Sequence, residues 1–197
     1  MLIIDDSLVG SPLADQIQSL VFGFEEPISW KYSDMTNRVY EDNPMVIRPD
    51  YVKETFYFSG FIPEEAKLYK LVLKFLTSKL AEHGLAIEEV SIFRVNIFTK
   101  KDESYAEVHH TVHADETNEG YVTFLYYIED SDGGTRFFNE KYEKSMTEDS
   151  LSVRIIVDPV KGRYALFDST RYHASASPVD HDMRPIINVI LKVRNLR

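Results

Sequence analysis

The chain contains no cysteine. No disulfide can staple the fold and no thiolate can hold a metal, which leaves histidine, aspartate and glutamate as the available ligands. A cysteine-free chain fits a reducing cytoplasm, where this one is expected to act. Long apolar runs are missing too: none approaches the roughly 20 residues that cross a bilayer. The opening stretch Met1–Asp6 has four apolar residues and then two acids. It is expected to be neither a secretory signal nor a membrane anchor. Positive charge is the scarcer sign, with 22 Lys and Arg against 32 Asp and Glu, a net charge of −10 and a pI near 5.1. Long-range repulsion therefore disfavours nucleic acid and anionic membranes as partners. Internal repeats, low-complexity tracts and evident linkers are absent as well, and a single domain over residues 1–197 is expected.

What is present is ample core material, 44% hydrophobic and 13% aromatic, distributed in two regimes. The first is helical. Ser11-Pro12 reads as an N-cap followed by proline at the first helical position, with Leu13, Ile17, Leu20 and Val21 at helical spacing up to Gly23, after a short edge strand. A stronger helix is predicted from near Pro63 to Gly84, with Leu68, Leu71, Val72, Phe75, Leu76 and Leu80 on one face. Glu64 and Glu65 would lie in its first turn and His83 in its last, complementing the helix dipole. Between the helices, short β-like pieces such as Ile28–Tyr32 precede a long surface loop read over Ser33–Asp50.

After Gly84 the pattern becomes extended. Strands are predicted at Val90–Phe98, Gly120–Ile128, Thr135–Phe138, Ser152–Val157, Arg163–Asp168 and Ile186–Val193. Turns separate them at Asp132-Gly133-Gly134, Asp158-Pro159 with Lys161-Gly162, and Ser177-Pro178. Helices first and strands after give an α+β order, with helical support over about 1–84 bracing a jelly-roll β core over about 87–197.

One constellation in the β half carries chemistry. His113 and Asp115 flank a single residue, so an extended backbone projects both to one face. His173 lies far along the chain and can face them from another strand. Two imidazoles and one carboxylate form the ligand set that leaves one face of an Fe(II) ion open. Arg184 begins the last strand, on one face with Ile186 and Asn188, and a guanidinium there can grip a carboxylate through paired hydrogen bonds. Tyr127 shares a strand face with Thr123 and Leu125 and can add a hydroxyl donor, while Tyr126 points the other way. Taken singly, each has an ordinary explanation: a strand-end ion pair for Arg184, a core tyrosine for Tyr127, a turn residue for Asp115.

The ordered set His113-Ala-Asp115, Thr123–Tyr127, Asp132-Gly-Gly134, Pro159 with Gly162, Phe167, His173 and Arg184 resembles the Fe(II)/2-oxoglutarate-dependent oxygenases, especially the prolyl-4-hydroxylase-like branch. The resemblance spans about residues 90 to 193. It implies a double-stranded β-helix holding iron with His113, Asp115 and His173, and 2-oxoglutarate clamped by Arg184 with help from Tyr127. Iron and 2-oxoglutarate would be the cofactor and co-substrate, with ascorbate as a further cofactor. The activity it implies is hydroxylation of a C–H bond with O2, releasing succinate and CO2, on a substrate that is either a protein side chain such as a prolyl ring or a small molecule.

The resemblance has departures. The charged stretch Lys100–His110 stands where the family carries a Gly-containing turn. With Ser33–Asp50, it is expected to wall the substrate opening. The nucleic-acid demethylase branch carries a second Arg where this chain has Ile190. Halogenases of the family lack the carboxylate ligand, which is present here as Asp115. His109 and His113 have a helical zinc spacing but no Glu after His109, so a zinc hydrolase is disfavoured. One of His109 and His110 is expected to pack near the site, with the other solvated, and His181 to form a surface charge pair between Asp180 and Asp182. The alternative to an oxygenase is a non-catalytic jelly-roll module that binds a ligand or partner.

Overall fold

The computed structural model describes residues 1–33, 45, 47, 57–106 and 108–196. The loop expected over 33–50 therefore falls, but for residues 33, 45 and 47, outside the described residues. Among them, two α-helices and ten strands follow in the order β1 Leu2–Asp5, α1 Pro12–Phe22, β2 Lys31–Ser33, β3 Tyr57–Phe61, α2 Lys67–Glu82, β4 Leu85–Thr99, β5 Tyr121–Tyr127, β6 Thr135–Lys141, β7 Val153–Val157, β8 Tyr164–Asp168, β9 Arg171–Ser175 and β10 Met183–Asn195.

Helix α1 starts as its sequence dictates. The Ser11 side chain accepts from the Ala14 N–H at 3.2 Å, and Pro12 occupies the first turn, where no N–H is needed. Helix α2 begins at Lys67, four positions after Pro63, because Pro63–Ala66 closes as a turn through Ala66 N to Pro63 O at 3.0 Å. Glu64 and Glu65 thus precede the helix and its first turn carries no acid, a correction to the dipole reading. The Glu26 carboxylate, from a distant segment, instead accepts from the Lys67 N–H at 2.8 Å. At the other end His83 is the cap, and Gly84 turns left-handed at φ 72°.

The strands form a seven-stranded antiparallel sheet in the order β1-β8-β5-β10-β4-β3-β2 and a three-stranded sheet in the order β7-β6-β9. Strand alternation divides the large sheet's side chains between two cores. On one face Phe124, Tyr126, Ile187 and Val189 pack with Leu68, Val72, Leu76 and Leu80 of α2 and Ile17 and Val21 of α1. On the other, Leu125, Tyr127, Phe98 and Ile186 meet Phe137 and Val157 of the small sheet. The helices cover the outer face, and the space between the sheets is left for the site. Several strand assignments differ from the sequence reading, β4 and β10 by extending beyond Val90–Phe98 and Ile186–Val193. The piece at Ile28–Tyr32 forms its strand at Lys31–Ser33, and β3 and β9 were not anticipated. All five residues of β9 are buried, so it lacks the alternation that marks a half-exposed strand.

Leu76 and Leu80 are fully buried in the helix–sheet core. Leu76→Ala is expected to cost about 2–5 kcal/mol of stability, measured as a lowered urea midpoint with an unchanged slope.

Candidate metal centre and anion cradle

His113 and His173 meet through their backbones. The His113 N–H donates to His173 O at 3.0 Å and the His173 N–H to His113 O at 2.9 Å, a reciprocal antiparallel bridge outside the named ladders. The pairing sets the two rings 4.4 Å apart. Two residues on, Asp115 N donates to Ser169 O at 2.9 Å, which anchors the carboxylate on the same side. His113, Asp115 and His173 place their ligand atoms within 4.8 Å of one another.

The imidazoles are oriented to bind. His113 Nδ1 lies 3.0 Å from Thr111 O and His173 Nδ1 3.1 Å from Arg171 O, so each Nδ1–H donates to a carbonyl and each Nε2 presents its lone pair. These Nε2 atoms stand 3.9 and 3.6 Å from the Asp115 oxygens. Thr123 Oγ1 donates to Asp115 Oδ2 at 2.8 Å and contacts Ser169 Oγ at 2.9 Å. Burial and the neighbouring His173 push the His113 pKa down to about 4. Burial acts to raise the Asp115 pKa, but His173, His113 and the Thr123 hydroxyl outweigh it and hold the carboxyl below its ordinary value. A neutral imidazole beside a carboxylate is the protonation state a divalent cation requires. The donor set fits Fe(II).

Arg184 is 0% exposed. Its guanidinium lies 5.4 Å from both the Phe98 and Tyr127 rings, and Nη2 donates to Thr135 Oγ1 at 2.6 Å. Nε and Nη1 are buried without any partner. An arginine stays charged at neutral pH, and burying it with unpaired donors is costly unless an anion completes the shell. The Tyr127 hydroxyl donates to Thr135 Oγ1 at 2.8 Å. Thr135 therefore accepts from both neighbours, and its own proton is left to donate elsewhere. Nothing in the sequence marks Thr135, a lone hydroxyl at the start of β6. Ser169 is equally unmarked, and Thr123, though read on the face of Tyr127, is not marked as a donor to Asp115.

A cleft beside these groups is lined by His113 and His173, by Arg94, Asn96 and Asn188, and by His110. His110, in the segment expected to wall the opening, is buried, with Nε2 3.0 Å from Ser177 Oγ. His109 is not solvated as expected: its Nε2 sits 3.2 Å from Glu148 Oε1 and its Nδ1 2.8 Å from His110 O. Both residues lie in non-helical backbone, with His109 bridged to Ala176, which removes the helical zinc spacing. His181 pairs with Asp132 at 2.9 Å rather than with its flanking acids. Asp132 also accepts the N–H groups of Val179, Asp180 and His181, fixing the corner that leads to Arg184. Gly133, at φ 79°, lies under that corner, where a Cβ would come within 2.7 Å of the Ser177 backbone.

No protein-family model and no curated protein sequence matches the chain. Solved structures do. A prolyl hydroxylase from Trichoplax adhaerens, in complex with a hypoxia inducible factor oxygen degradation domain peptide fragment, is 15% identical with a TM-score of 0.63, covering 97% of this chain and 83% of its own. A 2OG-Fe(II) oxygenase family oxidoreductase from Burkholderia pseudomallei is 8% identical with a TM-score of 0.57, over 98% of this chain and 86% of its own. The non-heme alpha ketoglutarate dependent epimerase SnoN from nogalamycin biosynthesis is 12% identical with a TM-score of 0.55, over 98% and 77%. The fold is that of the 2OG-Fe(II) oxygenases. Among the described residues, no helix of this oxygenase fold is long and apolar enough to cross a membrane.

Burial pushes the His110 pKa down to about 3, whereas an unfolded histidine titrates near 6.5. Below about pH 6.5 the unfolded chain binds a proton that the folded chain refuses, so stability is full above that pH and falls as the solution is acidified. The expected contribution is up to about 1.4 kcal/mol per pH unit, levelling off near the folded value. Urea unfolding of metal-free protein between pH 7 and 4.5 should show a shallower pH slope in His110→Gln than in the wild type.

Proposed function

We propose that the chain is an Fe(II)- and 2-oxoglutarate-dependent dioxygenase of the prolyl-4-hydroxylase-like branch, one catalytic domain over residues 1–197 whose two sheets form a double-stranded β-helix buttressed by α1 and α2. The observation that carries this reading is the pairing of a three-ligand cluster with a buried, under-bonded guanidinium in the same intersheet space. Together they put a cation site and an anion grip in one space. In this reading His113, Asp115 and His173 hold the iron. Arg184 takes the distal carboxylate of 2-oxoglutarate through Nε and Nη1, while Thr135 supplies a further hydroxyl donor and Tyr127 keeps Thr135 oriented. Bound Fe(II) supplies the redox centre at which O2 and 2-oxoglutarate become succinate and CO2 while one oxygen atom enters a substrate C–H bond as hydroxyl. Around it, the chain keeps both imidazoles neutral, fixes the Asp115 carboxylate through Thr123 and excludes bulk water from the Arg184 end. In this reading the reaction takes place in the cytoplasm, which the cysteine-free composition fits. Ascorbate would serve to return oxidised iron to Fe(II).

Anaerobic titration with Fe(II) and 2-oxoglutarate tests the proposal. A visible absorption band that needs both components, followed by slow succinate formation when O2 is admitted without substrate, is expected. Absence of both from folded protein would favour a non-catalytic binding module. His113→Ala, Asp115→Ala and His173→Ala should each abolish the band by loss of iron. Arg184→Ala should keep iron yet weaken 2-oxoglutarate binding by about 1.5–3 kcal/mol, the scale of a charge-assisted hydrogen bond. Thr135→Val should cost less, about 0.5–1.5 kcal/mol, read from the same titration.

A further inference from the structure

The cleft contains a second cation that the iron and 2-oxoglutarate sites do not use. Arg94 of β4 lines it, forms no hydrogen bond or ion pair with any described residue, and has a buried Nε without a partner. Two amides stand beside it. Asn96 and Asn188 are 5% and 4% exposed, both line the same cleft, and the Oδ1 of each is buried without a hydrogen bond. The register explains the grouping: Asn188 of β10 is directly opposite Arg94, and Asn96 is two residues along β4 on the same face. Two buried amide oxygens and a buried guanidinium Nε without partners are costly together.

We infer that Arg94, with Asn96 and Asn188, is the subsite that binds an anionic oxyacid group, carboxylate or phosphate, of the substrate to be oxidised. The inference rests on the proposed oxygenase function and names a substrate class for it. A guanidinium pairs with an oxyacid through two parallel N–H donors, and each carboxamide can turn to offer N–H to the same group or oxygen to a neighbouring donor. The co-substrate has other partners. Its distal carboxylate belongs to Arg184, which lies opposite Phe98, whereas Arg94 lies opposite Asn188, four positions further along the strand. That offset is about 13 Å of strand. Asn188 is level with Leu125 on β5, and the neighbouring position on that face is Thr123, the hydroxyl donor to Asp115. The subsite is thus level with the metal cluster, where a substrate held by its charged end would present a nearby C–H bond. In a chain of net charge −10, a local cation offsets the long-range repulsion that an anionic substrate meets.

The test uses 15N-labelled protein loaded with Zn(II), a redox-inert substitute for iron, and 2-oxoglutarate, with the Arg94 Nε–H resonance assigned by its loss in Arg94→Lys. Propionate and methyl phosphate are the probes, and sodium chloride controls for ionic strength. A saturable shift of the Arg94 Nε–H and of the Asn188 side-chain amide is expected with at least one probe, and which one responds identifies the oxyacid. Asn188→Asp, similar in shape and opposed in charge, should weaken that response at least tenfold, as should Arg94→Gln when read at the Asn188 amide. No saturable response to either probe at tens of millimolar would overturn the inference. So would a shift of Arg94 Nε–H on adding 2-oxoglutarate that leaves the probes without effect, or a tenfold loss of 2-oxoglutarate affinity in Arg94→Gln, since either assigns Arg94 to the co-substrate. Failure of 2-oxoglutarate to bind, with the probes still shifting Arg94, would remove the oxygenase reading and leave an anion subsite.

Discussion

The reciprocal backbone hydrogen bonds between His113 and His173 are the constraint on which the rest of the site depends. They join a segment outside the named strands to β9 and place two imidazoles side by side. Each ring is then held from behind by a carbonyl, Thr111 O for one and Arg171 O for the other. Asp115 is tied to the same framework through Ser169. Backbone pairing fixes the positions, and hydrogen bonds from behind fix the orientations of the rings and the carboxylate.

Arg184 shows the same preorganisation applied to charge. Two aromatic faces and one hydroxyl hold the guanidinium, but they satisfy only part of it. The residue costs the fold more than a leucine would, and an anion at its unpaired Nε and Nη1 would offset that cost. Thr135 makes the arrangement directional. Because its oxygen accepts from both Arg184 and Tyr127, its proton must point away from both.

Much of this was legible in the sequence, for identifiable reasons. The His113, Asp115 and His173 spacing could be read because period-two alternation places residues i and i+2 on one face whatever the tertiary context. Arg184, Ile186 and Asn188 were read as one face by the same rule, and the register bears this out. The start of α2 was misplaced because Pro63 and two acids mimic a helix N-terminus, whereas the Lys67 N–H finds its acceptor on Glu26, a tertiary contact with no local signature. Strand β9, which carries His173, was missed because its residues are all buried and show no alternation. Thr135 and Arg94 could not be recognised at all. Their roles lie in what their side chains leave unsatisfied, and only the surrounding structure defines that.

Strand β10 explains why the helices matter to a site they never touch. Its even positions, Arg184, Ile186 and Asn188, face the cleft side, while Ile187, Val189 and Leu191 pack in the core with α2. A slip of one residue would exchange the two sets, driving a guanidinium into the helix–sheet core and leucine into the cleft. The buried charge and the apolar face therefore specify the same register from opposite sides of the sheet. Pairing along the whole of β10 with β4, from Met183 opposite Thr99 to Asn195 opposite Leu85, makes an error at either end a cost along the entire strand. Arg94 inherits its position from that pairing, so the Arg184 cradle and the second cation are placed by one ladder, while the metal cluster is placed by the bridge between His113 and His173.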